Sequence, residues 1–129
     1  VNFDKWEKYK DLLKYNMVII SRENIDIKYY LDRLGKKDKY RLRALANPLK
    51  PVVIIGKEGL TENIVVSIND VIRTHELIKI SILKTYEGLP TKELAQLICS
   101  TISAEYIHVV GRTMVIYKKN KDINRYEVK

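Results

Sequence analysis

The chain has a single cysteine, Cys99, among its 129 residues. One cysteine excludes an internal disulfide bond and any zinc site built from several cysteines. It also fits a reducing compartment, so we expect a cytoplasmic protein, or one of an organellar stroma or matrix if the source is eukaryotic. Cys99 falls on the apolar pattern of a predicted helix, where we expect a buried small side chain.

Long hydrophobic runs are also absent. No apolar stretch approaches the roughly 20 residues of a membrane-spanning helix, so no membrane partner is expected. Asp4, Glu7 and Asp11 interrupt the first residues, which therefore do not predict a signal peptide. Whether the chain is a fragment of a larger protein stays open at this point.

Catalytic and metal-binding patterns are missing as well. His75 and His108 have no cysteine or carboxylate at ligand spacing, so no metal site is predicted. No nucleophile, base and orienting acid stand near one another in the sequence, and neither a Walker A nor a dinucleotide-binding motif is present. We therefore expect no catalytic residue, no cofactor and no small-molecule substrate.

Positive charge, in contrast, is abundant and concentrated. The net charge of the chain is +8, and residues 36–57 hold seven basic side chains against one acidic side chain. Such local asymmetry is typical of a nucleic-acid-binding surface, although a merely solvated face gives the same pattern. The basic residues of this window are Lys36, Lys37, Lys39, Arg41, Arg43, Lys50 and Lys57.

The first part of this basic window predicts a helix and then a strand. Residues 38–47 have helical spacing, with an apolar stripe of Leu42, Leu45, Ala46 and Leu49. The same spacing places Lys36, Lys39 and Arg43 on another face of the helix. Asn47-Pro48 ends the helix, and a buried strand is expected from Val52 to Ile55.

Five more elements follow in the predicted order α-β-α-β-α-β-β. Thr61 and Thr91 are expected to cap the second and third helices, and His75 to cap carbonyls at the end of the second. Gly111-Arg112 predicts a two-residue type II′ hairpin between the last two strands. Two βα crossovers and a terminal hairpin predict an α/β domain with a four-stranded mixed sheet packed with helices. The strands are expected at residues 77–84, 106–110 and 113–118.

A glycine loop, Gly56-Lys57-Glu58-Gly59, connects the first strand to the second helix. Glycine has no Cβ and tolerates positive φ, so such a loop brings a backbone close to a bulky group. At a helix N-terminus the free N–H groups and the positive dipole end suit an anion, and Lys57 adds a positive charge. A tight strand-to-helix turn without a ligand is the alternative.

The ends of the chain differ from its centre. Phe3, Trp6, Tyr9, Leu12 and Leu13 follow a helical spacing that indicates either a packed extension of the core or an arm for a protein partner. The last ten residues are polar and show no pattern. We therefore divide the chain into an N-terminal extension at 1–34, a domain at 35–119 and a polar tail at 120–129.

Three motifs, taken in order, resemble one protein family. They are Leu42-Arg-Ala-Leu-Ala-Asn-Pro-Leu-Lys-Pro-Val-Val-Ile-Ile-Gly-Lys-Glu-Gly-Leu-Thr61, His75-Glu-Leu-Ile-Lys-Ile80 and Val110-Gly-Arg-Thr-Met-Val-Ile-Tyr117. Over residues 34–118 the chain resembles the YhbY/CRM family, whose name abbreviates chloroplast RNA splicing and ribosome maturation. The resemblance implies a compact domain similar to the C-terminal domain of bacterial translation initiation factor three.

The resemblance also implies a function. Bacterial members associate with the precursor of the large ribosomal subunit, and plant organellar members help group II introns fold and splice. We therefore expect a non-catalytic protein that binds structured RNA, by default ribosomal RNA of the large-subunit precursor, with intron RNA as the alternative. The expected RNA-binding residues are Lys36, Lys37, Lys39, Arg41, Arg43, Lys50, Gly56, Lys57, Glu58, Gly59 and Arg112.

Some features leave alternatives open. Glu58 stands where bacterial members usually have a neutral residue, and an acid beside phosphate is unfavourable; Asn47 stands where histidine is common. Arg112 either lies near the phosphate track or pairs with an acid such as Glu105. The alternative functions are a protein-docking module that uses the aromatic N-terminal arm, and an enzyme acting on RNA or nucleotides.

Overall fold

A computed structural model describes residues 34–128 of the chain. Residues 1–33, which include most of the predicted N-terminal extension, lie outside this range. Seven elements have the predicted order: α1 Lys36–Ala46, β1 Val53–Ile55, α2 Glu62–His75, β2 Leu77–Ile82, α3 Thr91–Ile102, β3 Glu105–Val110 and β4 Thr113–Tyr117. None of these helices is long and apolar enough to cross a membrane.

The four strands form one mixed sheet in the order β1-β2-β4-β3. β1 and β2 are parallel, whereas β4 is antiparallel to both β2 and β3. The two crossovers, through α2 and α3, therefore leave β1, β2 and β3 running in the same direction, with β4 inserted between β2 and β3. The predicted α/β fold with a four-stranded mixed sheet is confirmed.

One face of the sheet carries the main hydrophobic core. Alternation along β2 directs Ile78, Ile80 and Ile82 to this face, where α2 and α3 cover them. The helices contribute residues at helical spacing, among them Ile68 and Ile72 of α2, which are fully buried. This double layer holds the ends of β1 and β2 in fixed positions.

The opposite face of the sheet is only partly covered. Leu42 and Ala46 of α1 pack there against Leu77, Val115 and Tyr117, at the end of the sheet where β2 begins. Val110 at the far end of β3 is 63% exposed and Ile54 of β1 is 56% exposed, because no helix of residues 34–128 lies over that half of the sheet. An open, partly apolar half-face therefore lies beside the C-terminal end of α1.

Three local predictions are wrong. Leu45 is 43% exposed, because α1 contacts the sheet through the narrower pair Leu42 and Ala46. The first strand is not buried throughout: only Val53 and Ile55 face the core, while Ile54 faces solvent at the edge of the sheet. Thr91 is the first residue of α3 and does not cap it, since the N-cap is Pro90.

Other local predictions are confirmed. Thr61 caps α2 by accepting a hydrogen bond from the Ile64 backbone N–H at 3.2 Å. In the hairpin turn Gly111 has a φ of +56° whereas Arg112 has no positive φ, as a type II′ turn requires. His75 Nδ1 lies 3.1 Å from the carbonyl oxygen of Val71 at the end of α2.

The C-terminal segment, residues 118–128, packs onto the domain around the buried side chain of Glu76. The Glu76 carboxylate accepts backbone N–H groups of Asn120 at 3.0 Å and of Arg125 at 2.7 Å. Val128 is 2% exposed and joins the cluster under α1. This packing is not predictable from the polar sequence of the segment. The segment is held mainly by its backbone N–H groups, which donate to a carboxylate more than 40 residues away.

Candidate nucleic-acid interface

A groove of about 460 Å³ lies between the C-terminal end of α1, the following loop and the open half of the sheet. Its floor and walls contain apolar side chains, and its charged groups are cationic. Among the residues that the structure describes, no aspartate or glutamate lines it. The lining residues are Arg43, Ala46, Asn47, Leu49, Lys50, Pro51, Lys79, His108, Val110, Thr113 and Val115.

Two sequence-predicted residues and two others supply the basic groups of this groove. Arg43 comes from α1 and Lys50 from the loop after it, and both were expected from the charged window. Lys79 of β2 and His108 of β3 were not expected. Lys79 Nζ donates a hydrogen bond to the Asn47 carbonyl at 3.3 Å, which ties β2 to the end of α1.

Sequence reasoning missed Lys79 and His108 because each is separated from the basic window by more than 20 residues. The alternation of β2 does indicate that Lys79 faces away from the main core. What the alternation does not indicate is that α1 packs on that same face. Once α1 is placed there, Lys79 joins Arg43 and Lys50 at one groove.

The electrostatic environment of His108 reflects its closeness to the basic groups. Partial burial lowers the pKa of His108 below its ordinary value, and the positive charge of Arg43 lowers it further. The lowered pKa favours the neutral form of the ring, which can stack or form hydrogen bonds.

The glycine loop and the β3–β4 hairpin meet at the end of the sheet toward which β1 and β2 run. Leu83, the residue after β2, donates its N–H to the Ile55 carbonyl at 2.9 Å. Arg112 in the hairpin donates from Nη1 to the Leu83 carbonyl at 3.1 Å, so Arg112 lies next to the strand that leads into Gly56. Arg112 therefore lies at this end of the sheet, and its contact with phosphate stays a prediction.

The glycines of the loop differ in geometry. Gly59 has a φ of +71° and its N–H bonds to the Gly56 carbonyl at 2.9 Å, so the turn itself requires a residue that tolerates positive φ. Gly56 has no positive φ, and a Cβ added there would meet only Leu83 Cδ1 at 3.6 Å, an ordinary contact. Within the described residues, the fold thus explains why position 59 is a glycine but does not explain why position 56 is one.

Backbone donors lie directly after the loop. The N–H groups of Glu62 and Asn63 in the first turn of α2 make no hydrogen bond to any part of the chain that the structure describes. Both residues are exposed, so these donors and the positive helix end face solvent. Lys57 is exposed beside them, but so are the carboxylates of Glu58 and Glu62, which reduce the local positive potential.

The remaining basic residues of α1 lie in different surroundings. Arg41 forms an ion pair with Asp38, with Nη2 and Oδ1 3.2 Å apart. Lys36 and Lys37 are exposed in the first turn of the helix, and Lys39 is half-buried. Arg43 is the helix residue that reaches the groove, and it makes no ion pair or hydrogen bond with the described part of the chain.

Reactive side chains do not cluster in the described residues. Within 34–128, no three His, Cys, Asp or Glu side chains are arranged to hold a metal ion. Cys99 is fully buried in the main core, and burial raises the pKa of its thiol far above the ordinary value, which keeps it protonated. The prediction of a buried Cys99 is confirmed.

Comparison with known proteins settles the family. The model of the CRS1 / YhbY (CRM) domain matches residues 34–118, which is well over half of the chain. The chain belongs to the CRS1 / YhbY (CRM) family. The match begins just before α1 of the CRM domain and ends one residue after β4.

Similar bacterial proteins consist almost entirely of the matched region. The chain is 30% identical over 95 residues to the probable RNA-binding protein YqeI of Bacillus subtilis, covering 74% of this chain and 98% of that protein. It is 32% identical over 93 residues to an RNA-binding protein of Haemophilus influenzae, covering 69% of this chain and 89% of the other.

A solved structure supports the same fold. The solution structure of a Staphylococcus aureus protein, proposed to bind RNA, superposes with a TM-score of 0.62 at 34% sequence identity. The superposition covers 74% of this chain and 97% of the Staphylococcus aureus chain. The CRM fold of residues 34–118 is therefore shared with proteins that are described as RNA-binding.

Proposed function

We propose that this CRM domain binds structured RNA without catalysing a reaction, chiefly through the RNA backbone. The observation that supports this most is that Arg43, Lys50 and Lys79 meet at one groove, which no acidic residue of the described range lines. These cations come from three separate parts of the chain. A run of charged residues that only keeps one segment soluble would not bring them together. Basic grooves that follow phosphates are the usual basis of sequence-tolerant RNA binding.

The glycine loop extends this surface in our proposal. Phosphates approach Gly56 closely and meet the free N–H groups at the start of α2, with Lys57 and Arg112 on either side. The fold leaves room for a Cβ at Gly56, so the fold itself does not require glycine there. This supports a role for Gly56 in close contact with a ligand. Glu58 and Glu62 oppose the binding, so the loop is a backbone contact and not a strong electrostatic site.

A matched pair of variants tests the residue assignment. Arg43→Ala with Lys57→Ala should weaken binding to structured RNA by about ten- to a hundredfold at moderate salt, because two phosphate contacts are lost. Lys92→Ala with Lys121→Ala removes the same charge from exposed positions outside the groove and should change affinity little. Equal losses in both double variants would mean that only net charge matters.

The RNA that we propose is ribosomal RNA of the large-subunit precursor. This follows from the family resemblance, in which bacterial members associate with that particle. Ultraviolet crosslinking in cells, followed by sequencing of the attached RNA, should recover large-subunit ribosomal sequences. Recovery of intron sequences instead would assign the chain to splicing, and cleavage or modification of bound RNA in a turnover assay would contradict a non-catalytic role.

A further inference from the structure

The groove beside α1 combines three kinds of surface. Arg43, Lys50 and Lys79 supply positive charge, and apolar residues such as Val110 supply a wall that water solvates poorly. Asn47 and Thr113 add neutral polar groups, and neither side chain makes a hydrogen bond within the described residues. Phosphate contacts alone require only the cations, so the apolar wall and the neutral donors need another explanation.

The dimensions of the groove favour a small occupant. A volume of about 460 Å³ is typical of a small-molecule or nucleotide pocket. The stacked bases of an A-form helix are paired with one another and cannot enter such a space. A single base that has left the stack can enter it while its phosphates stay on the cationic rim.

Two side chains in the groove are suited to holding a base. The imidazole of His108 and the guanidinium of Arg43 both line the groove, and planar groups of these two kinds stack on bases in RNA complexes. The amide of Asn47 and the hydroxyl of Thr113 can each donate and accept hydrogen bonds at the edge of a base.

We propose that this groove takes one unpaired nucleotide of the bound RNA, with its base between His108 and Arg43 and its edge toward Asn47 and Thr113. The proposal rests on the proposed function and adds a preference to it: structured RNA with an extruded nucleotide, such as a single-residue bulge, binds better than the same helix fully paired.

The test compares RNA hairpins that differ in one nucleotide. One hairpin is fully paired, and four others carry a single bulged A, C, G or U in the stem. The unaltered chain should bind at least one bulged hairpin about tenfold more tightly than the paired one, because the extruded base adds a stacking contact that the paired hairpin lacks. Equal affinity for all five hairpins would overturn the groove proposal and leave the proposed function standing.

Variants that keep every lysine and arginine test whether the preference for the bulged hairpin arises in the groove. His108→Ala with Thr113→Val should abolish the preference for the bulge, so that the bulged and the paired hairpins bind this variant with equal affinity. The matched control, Thr74→Val with His75→Ala, removes the same side-chain types at the end of α2 and should keep the preference. A bulge preference that survives the groove variant would contradict the proposal. Failure of all five hairpins to bind would overturn the proposed function itself.

A crosslinking measurement on the unaltered chain tests the proposal even if the groove variant does not fold. A bulged hairpin with 4-thiouridine at the extruded position should crosslink to the peptide that contains His108 to Thr113, and the label placed within the paired stem should not. Crosslinking of the bulge only to the loop around Lys57 would overturn the groove assignment.

Discussion

Gly56 and Gly59, the two glycines of the loop, meet different demands. Gly59 adopts positive φ, where an alanine is strained whatever space surrounds it. Gly56 has ordinary φ and room for a Cβ, so its lack of a side chain matters only to something that approaches from outside. The proposal that RNA phosphates approach Gly56 closely depends on this difference.

Alanine substitutions separate the two roles. Gly56→Ala should leave the free energy of unfolding within about 0.5 kcal/mol of the original value and weaken RNA binding severalfold. Gly59→Ala should lower the free energy of unfolding by about 1–2 kcal/mol because of the positive φ. Urea unfolding and RNA titration measure the two quantities. Unchanged RNA affinity in Gly56→Ala would favour a turn with no ligand.

The pKa of His108 reports on the groove at single-residue scale. Arg43 contributes to lowering that pKa, so Arg43→Ala should raise it, since a neighbouring positive charge disfavours the protonated ring. NMR titration of the His108 ring protons measures the midpoint. Lys92→Ala, on a helix that covers the other face of the sheet, should leave the midpoint unchanged. A midpoint that stays the same or falls in Arg43→Ala would place the guanidinium elsewhere.

At the scale of elements, Glu76 joins α2 to the C-terminal segment. Its side chain is fully buried, its φ is +63°, and its carboxylate accepts the two backbone N–H groups of Asn120 and Arg125. Hydrogen bonds to a charged group each contribute about 1.5–3 kcal/mol, which outweighs the roughly 1–3 kcal/mol cost of the unusual backbone. Residues 118–128 are therefore a structural part of the domain.

Glu76→Ala should lower the free energy of unfolding by about 3 kcal/mol, because two partly buried backbone donors lose their charged acceptor. Chemical denaturation measures the loss. Glu87→Ala removes an exposed carboxylate from the loop after β2 and is the matched control, with an expected change within about 0.5 kcal/mol. A loss below about 1 kcal/mol for Glu76→Ala would mean that the C-terminal segment contributes little to stability.

Periodicity was sufficient for the elements of the domain but not for the contacts between distant ones. The alternation of Ile78, Ile80 and Ile82 and the helical spacing of Ile68 and Ile72 identify the main core without a structure. Leu45 was assigned to the wrong environment because the apolar stripe of α1 is wider than the sheet surface it contacts. The periodicity of a helix does not predict how much of its apolar stripe will be covered by the sheet.

The candidate site was predictable to a similar extent. Local charge density indicated Arg43 and Lys50, which the structure brings to the groove, together with Lys57 near the end of the sheet. Lys79 and His108 arrive there through sheet pairing and through the placement of α1, which are long-range properties. The same limit applies to Glu76, whose partners lie more than 40 residues further along the chain.

At the scale of the whole molecule, the open part of the sheet and the groove cations Arg43, Lys50 and Lys79 lie on the same side. α2 and α3 cover the other face, and there the exposed ends of helices carry both signs of charge, as in Asp70 and Arg73 of α2. RNA that binds on the α1 side, as we propose, would meet the cations Arg43, Lys50 and Lys79 at the groove. Such binding should depend steeply on salt, because each neutralised phosphate releases counterions.

A salt titration of RNA binding tests the account most directly. The logarithm of the association constant, plotted against the logarithm of salt concentration, should fall steeply for the unaltered chain. For Arg43→Ala with Lys57→Ala the slope should be shallower by about 1.4–1.8, since each lost phosphate contact removes about 0.7–0.9. The Lys92→Ala, Lys121→Ala control should keep the original slope. Identical slopes for the unaltered chain and the Arg43, Lys57 variant would contradict RNA binding through these residues.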